Sequence, residues 1–141
     1  MAKYLYIVFP VIVALFAVSA VQARSPTEVE GATTVDLATA KAVFDRGVLF
    51  VDVRRASIYY DGHIPRAVNL HWVGKFTEAT LSEVATKDQE VVIYAWHYRD
   101  GPWYERASGS CKKAVSWGFK KVYYFQDGYP GWKAAGYTSE N

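Results

Sequence analysis

Apolar and polar positions follow two periods along this chain of 141 residues, and the period changes mark its elements. Over "VDLATAKAVFDRG" (35–47) apolar side chains recur at Leu37, Ala40, Val43 and Phe44, the spacing of one helix face. Asp36 can cap that helix and Gly47 can stop it. "VLFVDV" (48–53) and "EVVIYA" (90–95) are unbroken apolar runs rich in β-branched residues, which suits strands buried on both faces. "AVNLHW" (67–72) and "KKVYYF" (120–125) read as further strands, and "TLSEVATK" (80–87) as a short helix. Residues 104–117 read as a helix, and "GYPGWKAAGY" (128–137) as a turn entering a last helix. Strands alternating with helices predict an α/β domain: a central, mostly parallel sheet with helices on both faces.

The N-terminal segment stands apart from this pattern. Lys3 precedes an apolar run over residues 4–21, and Val21-Gln22-Ala23 offers the small residues of a cleavage site. Residues 1–23 therefore read as a signal peptide, with a retained membrane anchor as the alternative, since such a run is just long enough to span. The polar stretch 24–34 reads as a flexible lead-in, and residues 35–141 as one domain. The expected location is the periplasm or the exterior, with membrane contact only through an uncleaved segment.

Charge narrows the partners. Removing residues 1–23 takes away Lys3 alone and leaves 15 basic against 14 acidic residues, with no basic stripe of the nucleic-acid-binding kind. The one cysteine, Cys111, cannot form an intrachain disulfide, so stability must come from packing.

"LFVDVRRASIYYDGHIPRAVNL" (49–70) and "GFKKVYYFQDGYPGWKAAGY" (118–137) resemble the rhodanese-like sulfurtransferase domains. The first is similar to that family's strand, Asp-x-Arg and Gly-His-Ile-Pro-x-Ala-x-Asn signature, and the second to its closing strand, glycine turn and tryptophan helix. The resemblance runs from about Val35 to Tyr137 and makes Asp52, Arg54, Gly62, His63, Pro65 and Trp132 the structural motif. With the signal segment, it looks most like the small periplasmic members, some of which accompany quinoprotein dehydrogenases. The family implies a cysteine at the end of the strand matching "VVIYA", which takes a sulfane sulfur as a persulfide and passes it to a thiol or cyanide. Its thiolate needs the N–H dipoles of a helix N-terminus.

Here the sequence departs from the family. Ala95 stands where the first cysteine belongs, and counting back from Gly118 places Tyr104 at the second cysteine of two-cysteine relatives. Helical spacing sets Tyr104, Ala107, Ser108, Cys111, Ala114, Val115 and Gly118 on one stripe facing the sheet, and Arg106, Ser110, Lys112, Lys113 and Ser116 on the other faces. Cys111 is thus expected in the core, and an active sulfurtransferase using it is the alternative. The strand-to-helix loop holds Ala95, Trp96, His97, Tyr98, Arg99, Trp103, Tyr104 and Arg106 in place of sulfur chemistry. Exposed tryptophan and tyrosine with arginine compose a contact surface, so the loop is expected to bind an exported protein partner, such as a periplasmic redox enzyme, or a small oxyanion. Trp96 and Trp103 are its expected anchors. His63, His71 and His97 match no metal-ligand spacing. Ser108 and Ser110 lack a nucleophile elbow. No metal or cofactor is expected.

Overall fold

The computed structural model describes residues 26–96 and 105–141. The signal segment therefore lies outside the described residues, as do His97, Tyr98, Arg99, Trp103 and Tyr104 of the loop. The elements are β1 (Thr33–Val35), α1 (Leu37–Asp45), β2 (Leu49–Asp52), α2 (Ala56–Tyr60), β3 (Val68–Asn69), α3 (Glu78–Val84), β4 (Glu90–Tyr94), α4 (Arg106–Ser116), β5 (Lys121–Phe125) and α5 (Gly128–Ala134). The five strands form one parallel sheet in the order β1-β5-β4-β2-β3.

Strand pleating divides the core. In β4, Val91 and Ile93 join Leu81, Cys111 and Ala114 on one face, while Val92 and Tyr94 join Ala40, Val43 and Trp132 on the other. Successive side chains of a strand point to opposite faces, so an unbroken apolar run is what a strand between two helical layers requires. The helix ends also follow local chemistry. Asp36 accepts the Thr39 N–H at 2.8 Å, and Thr77 and Thr80 form a reciprocal capping box at α3.

Two expectations need correction. The described part of the 24–34 stretch is docked, not a flexible lead-in. Val29 is buried in the core, Thr33–Val35 pairs with β5, and the Gln126 side-chain amide donates to the Pro26 carbonyl at 3.0 Å. Its threonines hid the strand because an edge strand buries little; only Val35 of β1 is buried. The faces of α4 also differ from the simple stripe. Arg106 and Ser110 are buried, because α4 is flanked by neighbouring segments as well as by the sheet. The Ser110 hydroxyl answers its burial by donating to the Arg106 carbonyl at 2.7 Å.

Candidate functional site

The carboxyl ends of β2 and β4 meet at the middle of the sheet, where Asp52 pairs in register with Tyr94. Asp52 and Arg54 are both fully buried and form a bidentate pair. Arg54 Nε donates to both carboxylate oxygens at 2.9 Å, and Nη2 donates to Oδ2 at 2.6 Å. Nη2 also donates to the Gly62 carbonyl at 2.8 Å, which ties the strand end to the next turn. Asp52 Oδ1 further accepts the Arg54 backbone N–H. These bonds satisfy Nε, Nη2 and both carboxylate oxygens, and they offset much of the cost of holding the pair in a dry interior.

Aromatic rings close around the guanidinium. Its carbon lies 4.5 Å from the Tyr129 ring centroid, 5.3 Å from Trp96 and 5.8 Å from Tyr94. These rings present their negative faces to a buried cation whose Nη1 has no hydrogen-bond partner among the described residues. The Tyr94 hydroxyl accepts the Ile64 N–H at 3.2 Å, and burial, then the Asp52 charge, pushes its ionisation well above the ordinary tyrosine range.

The signature residues are structural parts of this arrangement. Gly62 has φ 152°, and a Cβ there would lie 2.5 Å from the Tyr129 hydroxyl oxygen, so both backbone and space require glycine. His63 stacks on Tyr59 at 3.7 Å, and its Nδ1 must donate to the Tyr59 carbonyl, 2.9 Å away. Its Nε2 lies 3.6 Å from the carboxylate of Glu140 in the C-terminal segment. Pro65 is buried beside it. Trp132 is 1 % exposed and its indole N–H donates to the Thr138 carbonyl at 2.8 Å.

At the end of β4, Ala95 is buried and its carbonyl accepts the Tyr129 N–H at 3.0 Å. Trp96, expected as an exposed anchor, is instead half-buried. It bridges to Gly128, sets its ring edge-on to Tyr129 and covers Arg54. An indole gains more over a buried guanidinium than in water, which is why it turns inward. Tyr129 is the residue that sequence reasoning missed. It contacts Arg54, Gly62 and Ala95 together, yet it sits in a turn motif that signals only chain reversal.

Cys111 is 0 % exposed, packed within the α4-side core, and burial pushes its thiol far above the ordinary range. The thiolate is the nucleophile, so this environment withholds the reactive form. Arg106, one and a half turns before it, is also buried, and burial, then the charge of Arg55, lowers its pKa. His71, at the exit of β3, is lowered by burial and then by Arg106, Arg55 and Lys75. His63 and His71 thus occupy different surroundings, and no three metal-ligating side chains gather among the described residues.

A five-stranded parallel sheet whose central strand ends meet a buried Asp-x-Arg turn defines a rhodanese-like α/β domain. The family model for the rhodanese-like domain matches residues 36–135, and the chain belongs to that family. A curated relative, Protein HIGH ARSENIC CONTENT 1, mitochondrial, of Arabidopsis thaliana, is 29% identical over 123 residues, which cover 82% of this chain and 70% of that protein. Among solved structures, the Alr3790 protein from Anabaena sp. is similar at 26% identity, covering 76% of this chain and 91% of that one, with a TM-score of 0.63. The human single-domain sulfurtransferase TSTD1 shares the fold at 18% identity and a TM-score of 0.59, covering 72% of this chain and 95% of its own.

Proposed function

We propose that this protein is an exported rhodanese-like domain that acts as a binding module and carries no sulfurtransferase activity. The observation that carries this reading is the pairing of Ala95 at the end of β4 with a fully buried Cys111 as the chain's one thiol. Sulfur transfer in this family is expected to need a thiolate at the strand end. Alanine offers none there, and a thiol sealed in an apolar core neither ionises readily nor meets a donor.

The Arabidopsis relative's name refers to arsenic content, and the human neighbour's name to a sulfurtransferase. This chain keeps their scaffold while lacking a thiol at the strand end. The half-buried Trp96 covers the buried Asp52–Arg54 pair at the strand ends. Trp103 remains the loop's candidate anchor for an exported partner.

The test is a thiosulfate:cyanide assay on the full chain, with Cys111→Ser and Ala95→Cys alongside. The proposal expects background thiocyanate formation from the parent and from Cys111→Ser. Turnover by the parent that disappears in Cys111→Ser would overturn it.

A further inference from the structure

We propose that the apolar N-terminal run is retained as a membrane tether, and that it holds the carboxyl end of the sheet, with its buried strand-end site, against a lipid surface. This goes beyond the binding-module reading and stands whether or not sulfur is transferred.

The docked N-terminal stretch sets where the chain enters the domain. The Gln126 side-chain amide, one residue past β5, donates to the Pro26 carbonyl at 3.0 Å. The Thr34 hydroxyl donates to the Thr27 carbonyl at 2.8 Å, and Val29 is buried in the core. Residues 26–32 therefore run back along β1 from the carboxyl end of the sheet and turn at Gly31, φ 80°, into the strand. The chain thus enters the domain at the end where Gly128 bridges to Trp96 and the Asp52–Arg54 pair lies.

The apolar run stops at Val21, five residues before Pro26. That stretch reaches at most about 18 Å, so a run embedded in a bilayer keeps Pro26 close to the headgroup layer. Only Arg24 and Ser25 lie between the candidate cleavage point and the docked stretch. A bond so placed offers a peptidase little free chain once the domain has folded, which favours retention of the run.

The far side of the same end supplies a second contact. The Leu70 and Trp72 N–H groups donate to the Asp52 and Val53 carbonyls, which carries the chain beyond β3 toward the carboxyl end. The turn that follows presents Val73, 64% exposed, and Gly74, where a side chain would meet nothing within 4 Å. Lys75 and Arg55 are exposed there, close enough for their charge to act on His71. Three strand spacings of about 4.8 Å separate β5 from β3, so tether and turn stand roughly 14 Å apart with the site between them. Two contacts fix which end faces the lipid. A zwitterionic headgroup layer suits the mixed charge of this end, offering phosphate to Arg55 and Lys75 and ammonium to the exposed Asp36 and Asp127.

The experiment places a dye at either end of the sheet. Val73→Cys lies at the carboxyl end, and Asp88→Cys, exposed and two residues before β4, lies at the amino end. Cys111 is fully buried, so the introduced thiol is the one that takes the dye. Each labelled full chain is reconstituted in phosphatidylcholine vesicles containing a nitroxide-bearing lipid that quenches nearby fluorescence. The expected result is loss of most of the fluorescence at position 73 and little loss at position 88, about 15 Å further from the lipid. Inserting roughly twelve Gly/Ser residues between Ser25 and Pro26, with a flexible reach of about 20 Å, should bring the two positions to similar quenching. Equal quenching at both positions of the parent, a difference that the linker leaves unchanged, or a chain recovered from an exporting cell with Arg24 as its first residue would each overturn the proposal. The binding-module reading falls on a different result, cysteine-dependent sulfur transfer.

Discussion

Arg54 shows how one residue can hold the site without reacting. Its guanidinium joins β2, the Gly62 turn and the Tyr129 ring in a single buried unit. Arg54→Ala strands the Asp52 carboxylate in a dry interior and should destabilise the fold by about 3–5 kcal/mol. The double variant Asp52→Ala/Arg54→Met removes both charges and should cost less than Arg54→Ala alone, which urea unfolding of the three proteins would check. Cys111 gives a second test at this scale. Folding raises its pKa, so the folded state keeps a proton that the unfolded chain loses above roughly pH 8.5. The stability from this group is present below that pH and declines as the pH rises, by up to about 1.4 kcal/mol per unit. Unfolding curves from pH 8 to 10.5 should fall more steeply for the parent than for Cys111→Ala; parallel curves would mean that the thiol is not sealed.

Among the elements, the last helix depends on one side chain. Trp132 meets Phe44 at 5.0 Å, Phe50 at 6.1 Å and Tyr137 at 4.9 Å, all in edge-on or T-shaped geometry. Those contacts join α5 to α1, β2 and the C-terminal segment. Trp132→Ala should cost about 3–5 kcal/mol, read as a lowered denaturant midpoint, and an unchanged midpoint would contradict this assignment. The elements with strong periods were legible in the sequence: α1 with its Asp36 cap, β2, β4 and β5 lie where hydrophobic spacing puts them. Two others left weaker traces. β1 is a polar edge strand, and the five residues of α2 are too few to show a period. Arg106 and Ser110 were misplaced because helical spacing specifies one face, whereas α4 is covered on more than one.

For the whole molecule, the signature motifs carried the family, and the alternation of strands with helices carried the parallel arrangement of the sheet. The site was legible by subtraction: the sequence shows no cysteine at Ala95 or in the following loop. What could not be read was the pairing of distant segments. Trp96 was expected outside and is folded over Arg54, while Trp72, His71 and Lys75 are brought to α4 by a β3 only two residues long. Neither relation has a local spacing to reveal it. The picture that results is a rhodanese-like scaffold whose central strand ends bury an Asp–Arg pair under aromatic rings, with its one thiol enclosed.

The most direct test of that picture is the intact mass of the folded full chain after incubation with thiosulfate, followed by removal of the excess donor. A sulfurtransferase stores sulfur covalently between its two half-reactions, so the persulfide would appear as added mass even where the acceptor is unknown. The account predicts an unchanged mass for the folded protein. A chain that gains one sulfur atom, with the gain absent in Cys111→Ser, would contradict it.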